Sequence, residues 1–248
     1  MLSQYVDSLE DLKEQAKSLI MSYSGIEDLA EERHSAYMLR LEKSVESLIV
    51  DAQPVPVTVD VNHARIVAQI KMASEQHDIS TIVALMKSHV SASAVQQDLC
   101  QLLAGLALID VNQVSIATTG GIAAIVNGME KHHDHAGVQD QGSKALVNLA
   151  VNAANQVSIA KTGGITAIVK GMRAHAAHVA IQYQGCRALA NLAINAANKV
   201  LIAKTRGITA IVKGMRAHHI QADVQELGCW ALANLAVNDA NKVLIAKI

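Results

Sequence analysis

The stretch from Gly164 to Arg206 reads GITAIVKGMRAHAAHVAIQYQGCRALANLAINAANKVLIAKTR, and it decides the fold because the chain repeats it. GIAAIVNGM begins at Gly121 and GITAIVKGM at Gly164 and again at Gly207, a step of 43 residues each time. KALVNLAVN from Lys144, RALANLAIN from Arg187 and WALANLAVN from Trp230 keep the same step. Gly164–Arg206 matches the preceding unit at 26 of 43 positions, and Gly207–Ile248 matches Gly164–Thr205 at 30 of 42. A worn copy precedes them, with DISTIVALMKSH from Asp78, LLAGLALID from Leu102 and an intact NQVSIATT from Asn112. A fixed period of this size is the mark of stacked helical units, none of which buries its apolar face alone.

Each unit reads as three helices. NKVLIAKT is a short first helix, and GITAIVKGMRAH is a second that opens on a junction Gly. VAIQYQGCRALANLAIN is the longest. In it Gly185, Cys186, Leu189, Leu192 and Ala193 form one apolar stripe at helical period. Gly142, Gly185 and Gly228 fall inside these third helices, where Gly costs about 1 kcal/mol against Ala. A close approach to the backbone at that point is the expected reason.

The composition agrees. Hydrophobic residues make up 51% of the 248-residue chain, yet aromatics are 2% and Phe is absent, so packing rests on Ala, Val, Ile and Leu. The formal net charge is −1, which argues against a dedicated nucleic-acid binder or an anionic-membrane binder. No long uninterrupted apolar run predicts a membrane span. The opening MLSQYVDSLEDLKEQ lacks the basic and apolar regions of a signal peptide. Cys100, Cys186 and Cys229 are too few and too spread for a disulfide framework. A reduced, cytoplasmic setting is expected, the nucleus included.

On the period, the GGI opening of the second helix and the ALANLA end of the third, Ser74–Ile248 resembles the armadillo-repeat family of importin alpha and beta-catenin. The resemblance implies an all-α fold, a right-handed superhelical solenoid of three-helix repeats whose third helices line a concave groove. Units would start near 78, 121, 164 and 207, the last incomplete.

Residues 1–73 lie outside the period and are expected to form an N-terminal helical extension that caps the array. Tyr5, Leu9, Leu12, Ala16 and Leu19 make one helical face, and Ile26, Leu29, Tyr37, Leu41, Val45 and Leu48 a second. QPVPVTV at 53–59 breaks the pattern, and a further helix is expected around Val61–Ser74. Residues 1–75 hold 13 Asp/Glu against 7 Lys/Arg, whereas 76–248 hold 9 against 14. This raises a second reading, that the acidic extension regulates access to a basic groove. The chain stops within a unit, so either a longer array or end-to-end self-association through the incomplete C-terminal repeat is expected.

The candidate partner-binding residues are a ladder on the third helices: Lys144, Asn148, Asn152, then Arg187, Asn191, Asn195, then Trp230, Asn234, Asn238. Within each set the residues are spaced i, i+4, i+8 and would share a face. A carboxamide offers donors and an acceptor, so a row of them suits the main chain of an extended peptide. The same groups would equally bond the loops of the neighbouring repeat, and both readings stay open. Trp230-Ala-Leu-Ala-Asn234 is similar to the Trp-x-x-x-Asn element of importin-alpha proteins, where the Trp walls a pocket and the Asn holds peptide backbone. The positions aligned with Trp230 are Arg187, Lys144 and Gln101. Lys144 and Arg187 would repel a basic signal, so an acidic or neutral extended segment is the expected partner.

Other chemistry is thin. His89, His132, His175 and His218 recur at the 43-residue step at the end of the second helix, where a cation or donor suits a helix C-terminus. His132, His133, Asp134 and His135 supply metal-binding side chains but no fixed tetrahedral set. Cys186 and Cys229 share one stripe position and are expected as small core residues. There is no GxxxxGK[ST], GxSxG or HExxH. No catalytic residue, cofactor or metal is expected. The function expected is a protein–protein interaction scaffold or adaptor. The alternatives are an enzyme or small-GTPase regulator acting through residues 1–73, and an importin-alpha-like transport receptor.

Overall fold

A computed structural model of the chain describes residues 61–248, and all their regular structure is helical. The two amphipathic faces predicted before residue 50, the extended 53–59 segment and the capping or regulatory role given to them lie outside the described residues. The last predicted helix of that region is present as α1, Val61–Glu75.

The remaining helices come in triplets. The first is α2 Ile79–Ser88, α3 Ser93–Leu106 and α4 Asp110–Thr118. There follow α5 Gly121–Lys131, α6 Ala136–Leu149 and α7 Ala153–Lys161, then α8 Gly164–Ala174, α9 Val179–Leu192 and α10 Ala196–Lys204. The last are α11 Gly207–Ala217, α12 Ala222–Ala236 and α13 Asp239–Ala246. Like packs on like: α3, α6, α9 and α12 touch in succession, as do α2, α5, α8 and α11, and α4, α7, α10 and α13. The helix α1 takes the place of a first helix one step earlier. It packs on α2 as α4 packs on α5, and its buried Ala73 stands where Ile116, Ile159 and Ile202 stand later.

The core is one continuous row of small aliphatic side chains. Ile82, Ile125, Ile168 and Ile211 of the second helices are buried, as are Leu103, Leu146 and Leu189 of the third. Without large rings to fill gaps, the helices must approach closely, and glycine permits it. A Cβ on Gly142 of α6 would stand 2.6 Å from Cγ of Met129 on α5, and Gly185 and Gly228 meet Met172 and Met215 in the same way. The close approach expected from the sequence is therefore made by a methionine of the same unit.

The junction into each second helix is a left-handed residue, Gly120 at φ 83° and Gly163 at φ 86°. The third copy has Arg206 there, at φ 64°. A non-glycine residue in that region carries about 1–2 kcal/mol of steric cost.

Two expectations need correction. The third helix does not run on to Asn152 or Asn195: α6 ends at Leu149 and α9 at Leu192, and the Asn residues open the next helices. Cys229 is exposed while Cys186 is buried. The reason is packing: α12 packs on α9, and among the described residues no third helix packs on the other side of α12 over Cys229.

Candidate functional site

The ladder of carboxamides resolves into two kinds of residue. Asn152, Asn195 and Asn238 are N-caps of α7, α10 and α13. Oδ1 of Asn152 accepts from the backbone N–H of Ala154 at 2.9 Å and of Asn155 at 3.2 Å. Asn195 repeats this with Ala197 and Asn198, and Asn238 accepts from Asn241 at 3.2 Å. An Asn cap satisfies helix-terminal N–H groups and is worth about 1 kcal/mol.

Asn148, Asn191 and Asn234 bridge successive units. Their Nδ2 atoms donate to the carbonyls of Ala104 at 2.8 Å, Val147 at 3.1 Å and Ala190 at 3.0 Å. Each of those carbonyls lies in the last turn of the preceding third helix, where no intrahelical N–H follows. The N–H four residues beyond Val147, that of Val151, bonds the carbonyl of Asn148 instead, at 3.5 Å. The carboxamide is thus a C-terminal cap supplied by the next unit. Asn148 and Asn191 are each 8% exposed, and Asn234 is half-buried.

Two further rungs, less legible in the sequence, run beside this one. Asn155, Asn198 and Asn241 donate through Nδ2 to Gln113, Gln156 and Lys199 of the preceding first helix at 3.1, 3.2 and 3.2 Å. His132, His175 and His218 place Nε2 at 2.7, 2.9 and 2.8 Å from the carbonyls of Val90, His133 and Ala176. The periodic histidines cap their own helices through the backbone, and their rings lock one unit to the last. Gln96, Gln139, Gln182 and Gln225, at the same step, each donate Nε2 to two carbonyls closing the second helix, those of Met129 at 2.7 Å and His132 at 3.0 Å in the case of Gln139. The 43-residue recurrence of these Gln was the available signal.

Among the positions that vary from unit to unit is the one aligned with Trp230. Gln101, Lys144 and Arg187 are half-buried, and Trp230 is 41% exposed. They stand on consecutive packed helices, one per unit. One turn earlier stand Gln97, Asp140, Tyr183 and Glu226. Burial pushes the Asp140 carboxyl above its ordinary value, while nearby Lys144 and His178 draw it down. Asp140 accepts from Gln141 at 2.9 Å. Oδ1 of Asp140, Oε1 of Gln141 and Oε1 of Gln184 are buried with no hydrogen-bond partner.

Nothing else among the described residues gathers reactive groups. No cluster of three or more His, Cys, Asp or Glu is placed to hold a metal ion. Burial pushes the thiols of Cys100 and Cys186 up to about 12, out of the range of a nucleophile at neutral pH. No described helix is long and apolar enough to cross a membrane.

No family model matches the chain, and neither does any curated protein. Among solved structures it is similar to the crystal structure of an engineered protein, a structural-genomics target, with a TM-score of 0.61 and 25% identity. The match covers 68% of this chain and 67% of that one. The likeness supports an all-helical, repeat-like packing.

Proposed function

We propose that residues 74–248 form an armadillo-type right-handed superhelix that serves as a protein-interaction scaffold, holding an extended segment of a partner along the third helices. The observation that carries this is the row Gln101, Lys144, Arg187, Trp230: solvent-reaching side chains that differ from unit to unit and stand on successive third helices, which the recurring Asn bonds hold in step. Asn148, Asn191 and Asn234 set the spacing of the row by bridging the units, and the row selects side chains. Trp230 gives a large amphipathic contact area of the kind that anchors interfaces. Lys144 and Arg187 suit an acidic or neutral segment. Three unpaired cysteines fit a reducing compartment such as the cytoplasm.

The test is selection of peptides from a random library on the full chain, followed by titration against a Trp230→Ala variant and an Arg187→Ala/Lys144→Ala variant. All three side chains reach solvent, so these variants keep the fold. Binding about tenfold weaker in both is expected. Selected peptides that bind both variants as tightly as the parent chain would remove the third-helix row as the docking surface.

A further inference from the structure

Between Asp140 and Asp223 the chain contains ten Lys or Arg and no Asp or Glu, although its overall formal charge is −1. Two of the ten, Lys144 and Arg187, belong to the third-helix row. The other eight lie on the first and second helices and the turn joining them: Lys161 on α7, Lys199 and Lys204 on α10, Arg206 in the turn, Lys170 and Arg173 on α8, and Lys213 and Arg216 on α11. Seven are exposed and Lys199 is half-buried. Neither Lys71–Glu75 nor Lys242–Asp239, two ion pairs among the described residues, involves any of these eight.

The repeat concentrates four of these cations. KGMR places Lys170 and Arg173 one turn apart on α8, and its exact copy does the same with Lys213 and Arg216 on α11. Residues so spaced on a helix lie about 5–6 Å apart at Cβ. The two helices pack side by side, at a separation of about 8–10 Å. Four cations thus stand within roughly one Debye length at 0.1 M salt, where their repulsion is poorly screened. Glu130 is the one carboxylate on α5, α8 and α11, and it stands at the α5 edge, across a shallow depression that Lys170 and Arg173 also line. Arg216 already takes an oxygen acceptor, donating through Nη2 to the main-chain oxygen of Ile248, the last residue, at 2.9 Å.

We propose that this first- and second-helix surface, centred on Lys170, Arg173 and Lys213, docks an acidic peptide segment of a partner protein. An extended chain presents same-side carboxylates about 7 Å apart, a spacing that falls between the intrahelical and interhelical separations of the cations. Single-stranded nucleic acid fits less well, because its binding uses aromatic rings as stacking platforms. Tyr183 and Trp230, the aromatic residues among those described, both stand on third helices. The surface does not include the third-helix row, and the inference stands apart from that proposal.

The experiment compares the full-length chain with Lys170→Glu/Arg173→Glu/Lys213→Glu and with Lys71→Glu. The probes are a labelled Glu-rich peptide, a DNA duplex and phosphatidylserine vesicles, each titrated at several salt concentrations. The charge-reversed triple variant is expected to bind the Glu-rich peptide about tenfold or more weakly and to lose most of its salt dependence. The Lys71→Glu variant, whose lost cation is exposed on α1 outside both surfaces, is expected to bind it as the parent does. If the triple variant loses helical circular dichroism, Lys170→Gln/Arg173→Gln/Lys213→Gln gives the same reading. Unchanged peptide binding in either triple variant would overturn the proposal. So would the absence of saturable peptide binding, or tighter binding of the duplex or the vesicles than of the peptide at equal ionic strength.

Discussion

Asn191→Ala separates a structural carboxamide from one kept for a partner. In the native chain Nδ2 of Asn191 is 3.1 Å from the carbonyl of Val147, and that carbonyl receives no N–H from its own helix. Asn191 is 8% exposed, so water has little access to replace it. Truncation leaves a buried acceptor without a donor, at a cost of about 1–3 kcal/mol. We expect a loss near the middle of that range, about 2 kcal/mol. For a chain of this size it corresponds to a fall in Tm of about 4–8 °C. Asn234→Ala is the internal control. Its bond to Ala190 is as short, at 3.0 Å, but the residue is half-buried, and water can reach it. A loss of about 1 kcal/mol is expected there. Both are measured by urea unfolding followed by circular dichroism at 222 nm, with the slope of the transition compared between variants. A loss below about 0.5 kcal/mol in Asn191→Ala would refute the bridging role, because an ordinary surface substitution does as much. Unchanged stability together with lost peptide capture would return the carboxamide to the docking surface.

Other outcomes follow from the same frame. Arg206→Gly should raise stability by about 0.5–1 kcal/mol in the same unfolding assay, since relief of the left-handed strain outweighs the extra unfolded-state freedom of Gly; a loss would show that Arg206 makes a contact worth more than its strain. Gly142→Ala should cost about 1–3 kcal/mol, because the new Cβ would press on Met129 at 2.6 Å; a variant as stable as the parent would mean that the methionine moves aside freely. A thiol reagent should modify Cys229 in the native chain and leave Cys100 and Cys186 unreacted until the chain unfolds, as mass spectrometry of digests would show. Both buried thiols have folded pKa values pushed up to about 12 from an ordinary 9.0, so unfolding releases protons at alkaline pH. Their contribution to stability is complete below pH 9 and is lost as pH rises towards 12, and a midpoint of urea unfolding that stays constant across that window would contradict their burial.

Much of the array was readable because repetition substitutes for an alignment. A residue that recurs every 43 positions is held by a neighbour that also recurs. The mid-helix glycines illustrate this: their cost in a helix pointed to a close approach before any coordinate located Met129, Met172 and Met215. The recurring histidines were placed correctly at helix ends, yet their ring contacts were not legible. Those bonds run to carbonyls in a different unit, and backbone carbonyls carry no sequence signature. The same limit affected Asn152, Asn195 and Asn238. Counting i, i+4, i+8 assumes an unbroken helix, whereas the Asn side chain itself ends that assumption by capping the next one.

The amino-acid sequence by itself determined the helical class, the period and the apolar stripes, since these depend on spacing along one chain. Tertiary structure decided which polar groups are engaged. An Asn presents the same donors whether it faces a partner or the last turn of the preceding helix, and only the stacking of units places an orphan carbonyl within 3.1 Å of Asn191. It decided likewise that Cys186 is buried and Cys229 is not, because burial of a stripe depends on the helix that packs over it.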